Sequence, residues 1–169
     1  EGLERNELAL ALLEQYVGDE SPQGELFELI REVLSFDFPL VPVEPNVFSL
    51  ELFHGPTMAF KDVGARFMAR CLSHFNKDHQ QEVTVLVATS GDTGGAVASG
   101  FLGVEGVNVV ILYPSGKVSE VQEKQLTTLG QYSRALEGEG TVDACRDGVQ
   151  RACRDAEGGG PSQRGAGRA

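Results

Sequence analysis

The sequence predicts an α/β fold, an incomplete open parallel sheet with crossover helices, and three observations carry that expectation. Residues 83–88 (V-T-V-L-V-A) form a nearly continuous apolar run with three valines, the pattern of a strand covered on both faces. Residues 107–113 repeat the pattern. Each run breaks into a glycine-containing turn and resumes with helical spacing, and strands that alternate with helices pair in parallel through right-handed crossovers. With 41% hydrophobic residues over 169 positions, there is enough apolar surface for one core.

The elements follow in chain order. Residues 3–17 place Leu8, Leu12, Leu13 and Tyr16 at helical spacing, which ends at Gly18. Ser21-Pro22 then offers a cap and a proline at the first helical position. The second helix carries Leu26, Phe27, Ile30, Val33 and Leu34 on one apolar face, and Pro39 stops it. Both helices read as packing elements without chemistry. Residues 48–53 alternate as a strand, with Phe48, Leu50 and Leu52 on one side. His54-Gly55-Pro56-Thr57 reads as a turn, with Thr57 able to cap a helix that reaches about Phe75. Phe60, Val63, Phe67, Cys71 and Phe75 are the expected buried stripe of that helix. Residues 89–95 form a loop after the first buried strand, and 96–102 resume as a helix. After the second strand come a turn at Pro114-Ser115-Gly116, a helix over 119–129 and a shorter one over 141–155, with Glu137 and Glu139 in a charge-rich loop between them.

Three parts result: a partial N-terminal helical segment over 1–47, an α/β portion over 48–157, and a tail over 158–169. The tail holds too little apolar surface to offset the entropy of ordering and is expected to be disordered. A chain that opens on Glu1 and closes on such a tail reads as a fragment. A sheet of so few strands leaves an apolar edge, so the isolated chain is expected to aggregate.

The net charge of -11 argues against a nucleic-acid backbone as partner. No apolar run reaches the roughly 20 residues of a membrane span, so no membrane association is expected. Cys71, Cys145 and Cys153 form neither a CxxC pair nor a disulfide framework. That usage suits a reducing, cytoplasmic setting, and no metal site is expected. Nothing in the pattern sets an oligomeric state.

Two places carry chemistry. Lys61 falls within the first turn of its expected helix, where the partial positive charge of the helix end disfavours a cation by about 0.3–1 kcal/mol. That field, with burial beside Phe60, would favour the neutral amine that Schiff-base chemistry needs. Position alone favours a surface lysine steadied by Asp62. The second place is Ser90-Gly91-Asp92-Thr93-Gly94-Gly95, between a buried strand and a helix. Its glycines permit a tight turn, and free N–H groups at the new helix suit an anion at the carboxyl end of the sheet. It matches neither G-x-G-x-x-G nor the P-loop pattern, and the Asp-Thr-Gly triplet of aspartic proteases belongs to an all-β context. A plain turn without ligand remains the alternative.

Together the two motifs are distinctive. Residues 50–62 (L-E-L-F-H-G-P-T-M-A-F-K-D) resemble the cofactor-lysine segment of the threonine synthase family, and residues 87–94 (V-A-T-S-G-D-T-G) resemble its substrate loop. Residues 109–117 and 122–125 continue the similarity, and a weaker match extends from Val17 to about Asp155. The resemblance implies a fold of the tryptophan-synthase-β-like superfamily, fold type II of the enzymes that use pyridoxal phosphate (PLP). It implies a lyase that converts O-phospho-L-homoserine and water to L-threonine and phosphate. Lys61 would carry PLP and shuttle protons on the substrate, with Phe60 and Asp92 beside the cofactor. Thr89, Ser90, Gly91 and Thr93 would hold the substrate, through its α-carboxylate. Asp92 next to the cofactor's ring oxygen would be repulsive unless the two share a proton. His54 would line the site, while Lys117 and Lys124 suit either the substrate phosphate or plain surface. His74 and His79 are expected to face solvent. The family's glycine-rich loop for the PLP phosphate lies in its later half and has no counterpart here, so this piece alone is expected to be inactive. A related phospholyase acting on another phosphorylated amino compound, or a non-catalytic truncated remnant, is the alternative.

Overall fold

A computed structural model describes residues 2–17, 22–77, 82–128, 130 and 133–158. Its elements in order are α1 (Arg5–Val17), α2 (Gln23–Val33), β1 (Leu40–Glu44), β2 (Val47–Leu50), α3 (Asp62–Asn76), β3 (Val83–Ala88), α4 (Asp92–Gly100), β4 (Val107–Pro114), α5 (Glu120–Thr127), β5 (Ser133–Gly138) and α6 (Val142–Gly158). The last three strands form a parallel sheet in the order β3-β4-β5, as expected for an open α/β sheet. β1 and β2 form a separate antiparallel hairpin. That hairpin crosses the division placed between residues 47 and 48.

The core sits on the sheet face that carries Val107, Val109, Ile111 and Tyr113, all buried. α4 and α5 cover this face through Ala96, Val97, Phe101 and Leu126. Alternate residues of a strand point to opposite faces. The other face therefore presents Leu112, which packs near Gly148 of α6. β4 has helices on both sides, which is why its sequence reads as an apolar run interrupted only by Asn108.

Close helix packing sets the phase of α3. A methyl group at Gly100 of α4 would come within 3.0 Å of the Ala65 carbonyl carbon, so the two helices meet at small residues. The buried face of α3 is Asp62, Ala65 and Ala69, with Leu72 packed against the core. This corrects the expected stripe of Phe60, Val63, Phe67, Cys71 and Phe75. Phe60 precedes the helix and is 63% exposed, Phe75 is exposed, and the other three are half-buried on the flank. Burial raises the Cys71 thiol pKa above its ordinary value.

α2 packs Leu26, Ile30 and Val33 inward, as the sequence reading has it, but it ends at Val33, well before Pro39. Ser21 and His79 lie outside the described residues, as does the tail from 159 onward, whereas Gly158 closes α6. α1 has no buried residue, and Leu8, Leu12 and Tyr16 are exposed. The hairpin is exposed along nearly all its length, including Phe48 and Leu50. No described helix is long and apolar enough to cross a membrane.

Candidate functional site

The segment around Lys61 is organised by the residue after it. Asp62 is 1% exposed, and its carboxylate accepts the Thr57 N–H at 2.9 Å and the Thr57 hydroxyl at 2.6 Å. Thr57, expected from the sequence to cap the helix, instead donates, and Asp62 accepts. Asp62 is also the first residue of α3, where the helix dipole favours an anion. Gly55 packs directly against this carboxylate and leaves no room for a side chain. Between these anchors, Met58 takes a left-handed φ of 58°. The turn over 55–61 is thus closed around one buried charge and delivers Lys61 to the N-cap position. The Lys61 amine lies 4.4 Å from the centroid of the exposed Phe60 ring. Among the described residues it has no carboxylate within ion-pair distance. Nearby, His54 meets Glu51 at 2.7 Å and stacks on Phe53.

The second motif forms a tighter structure than a seven-residue loop. α4 begins at Asp92, so Gly94 and Gly95 are helical, not loop. Gly91 makes the whole reversal at φ 140°, a conformation that side chains disfavour. Thr89 is buried, and its hydroxyl accepts the N–H groups of Gly91 and Gly94, each at 3.0 Å. Gly94 packs against the Thr89 methyl, Leu126 and Ile111. Ser90, Asp92 and Thr93 remain exposed. Their backbone N–H groups have no acceptor among the described residues. A helix start with open N–H groups favours an anion.

Asp92 is tied to the next unit: the Gln122 side-chain amide donates to its Oδ1 at 2.6 Å. Tyr113, at the carboxyl end of β4, donates to Glu123 at 3.4 Å. Burial, then the Glu123 and Glu137 charges, push its phenol upward. Lys124 pairs with Glu120 at 2.6 Å and Lys117 is exposed. His74, expected to face solvent, is half-buried and pairs with Glu25 at 3.3 Å.

Lys61 and the Ser90–Thr93 stretch precede or open two helices, α3 and α4, that pack directly on each other. No hydrogen bond or ion pair joins them among the described residues. Two positions that the sequence reading left without a site role emerge, Asp62 and Gln122. The Ser119-x-x-Gln122 spacing of a capping box was the available signal for the second.

No family model matches the chain. It is 50% identical over 146 residues to threonine synthase of Escherichia coli, an alignment that takes in 86% of this chain and 34% of that protein. The crystal structure of threonine synthase from Escherichia coli superposes with a TM-score of 0.84 at 47% identity, covering 92% of this chain and 36% of that one. Over most of its length the chain is therefore similar to one part of the threonine synthases. A PLP-bound threonine synthase from Brucella melitensis superposes equally well, with a TM-score of 0.84 at 39% identity over 92% of this chain and 35% of that one. The chain spans about a third of the length of the threonine synthases it matches. The α/β fold class of the threonine synthases, fold type II, is therefore the one present here.

Proposed function

We propose that this chain is the lysine-bearing part of an enzyme that converts O-phospho-L-homoserine and water to L-threonine and phosphate with PLP as cofactor. One observation carries the reading. A lysine at the foot of α3 with no carboxylate partner among the described residues and an open helix start at α4 occur together in a fold that superposes on solved threonine synthases. The residues present fit the reactive end of PLP. An amine without a carboxylate partner is free to condense with an aldehyde, and open N–H groups suit a carboxylate. PLP, when bound, supplies the electron sink for the reacting carbon.

In this reading Lys61 holds the cofactor through Nζ and afterwards takes and returns protons at the substrate carbons. Phe60 flanks that amine, and Asp92 would stand beside the cofactor. The N–H groups and hydroxyls of Ser90 and Thr93, with Gly91, orient the substrate carboxylate. Thr89 keeps those groups aimed outward by spending its own hydroxyl on Gly91 and Gly94. The three cysteines, all free, support a cytoplasmic setting.

The resemblance assigns the phosphate-holding glycine loop to the family's later half, outside the segment matched here. This 169-residue chain alone is therefore expected to bind PLP weakly and to turn over no substrate. Spectroscopic titration with PLP checks this; saturation at low micromolar concentration contradicts it. Installing residues 3–155 in place of the matching segment of the Escherichia coli enzyme is expected to restore turnover of O-phospho-L-homoserine. A folded, PLP-loaded chimera without that activity sinks the reading.

A further inference from the structure

Gln122 spends both ends of its side chain. Its carbonyl oxygen accepts from the Ser119 N–H at 3.1 Å and from the Ser119 hydroxyl at 3.0 Å, and the Ser119 hydroxyl accepts from the Gln122 N–H at 3.3 Å. That reciprocal pair is the capping box of α5. Because the Ser119 N–H can only donate, the amide is fixed with its oxygen toward Ser119 and its nitrogen toward Asp92. The nitrogen donates to Asp92 Oδ1 at 2.6 Å, across thirty residues of sequence. Gly91 packs closely against the same amide, so a side chain there would have to displace it. The start of α5 thus braces the turn before α4 at two adjacent residues.

We propose that Gln122 is a positioning residue that sets the Ser90–Thr93 loop through Asp92. Its donor leaves Asp92 Oδ2 as the oxygen open to a ligand and holds the carboxylate in one rotamer. The relevance to substrate rests on the proposed function; the positioning itself does not.

Gln122→Glu separates this role from capping. Glutamate completes the same capping box, so α5 keeps its start. It cannot donate to Asp92 and sets a like charge against it. The double variant Gln122→Glu with Asp92→Asn restores one donor and one acceptor with their places exchanged. Amide hydrogen exchange of the full chain is read over residues 88–96 and over α5. Gln122→Glu is expected to speed exchange in 88–96 by about tenfold, the loss of one hydrogen bond to a charged group. α5 is expected to stay protected, and the double variant to recover most of the loss. Unchanged exchange in 88–96, loss of α5 protection in parallel, failure of the double variant to recover, or a wild-type segment without protection each overturns the proposal. Adding O-phospho-L-homoserine to the PLP-loaded chimera and following amide exchange over residues 88–96 then reads the other premise. No response there removes the substrate-loop reading while the Gln122 brace stands.

Discussion

Lys61→Ala, placed in a threonine synthase that carries this segment, is expected to lower kcat by about a thousandfold or more while leaving the fold intact. The size follows from losing both roles at once: the covalent hold on PLP and the proton transfer, the second alone contributing about 10²–10⁴-fold. The fold survives because Lys61 donates no hydrogen bond or ion pair to the described residues; the Phe60 ring is its aromatic contact. Lys61→Arg sharpens the result. Arginine keeps the charge but stays protonated and cannot condense, so it is expected to be as inactive as alanine. Steady-state kinetics with O-phospho-L-homoserine checks both, and substantial activity in either variant shows that the amine is not the reacting group.

Asp62→Ala carries the largest expected cost to stability, about 2–4 kcal/mol. The buried carboxylate accepts two hydrogen bonds from Thr57, at 2.9 and 2.6 Å, and bonds to a charged group contribute about 1.5–3 kcal/mol each before relaxation. Its place at the start of α3 adds the favourable dipole interaction that alanine forfeits. Asp62→Asn is expected to lose less, since the amide oxygen still accepts one of the two bonds. Urea unfolding followed by circular dichroism measures both. A cost below about 0.5 kcal/mol for Asp62→Ala places this position among ordinary surface changes and removes the anchor assigned to the turn before Lys61.

How much of this was legible depended on whether the signal was local. β3 and β4 announce themselves because helices cover both faces, which leaves runs of valine with little polar interruption. β5 does not: Ser133–Gly138 has no β-branched residue, and its burial is poor along much of the strand. β1 carries Pro42, which argues against a strand except in an exposed hairpin such as this one. Gly94 and Gly95 look like loop yet lie inside α4, where glycine stands at 94 because a side chain there would strike Thr89 and Leu126. The buried face of α3 went astray because large apolar residues attract the eye, whereas contact with Gly100 demands small ones. At the site, the motif positions were readable from the resemblance. The Gln122–Asp92 bond was not, since it joins residues thirty apart that only the packing of α5 on α4 brings together.

The proposed chemistry turns on which amine meets the cofactor's aldehyde. Borohydride reduction of the PLP-loaded chimera, followed by proteolysis and mass mapping, answers that directly. A pyridoxyl group on the peptide containing Lys61 is the expected result; a label on Lys117, Lys124 or any other lysine, with Lys61 unmodified, contradicts it.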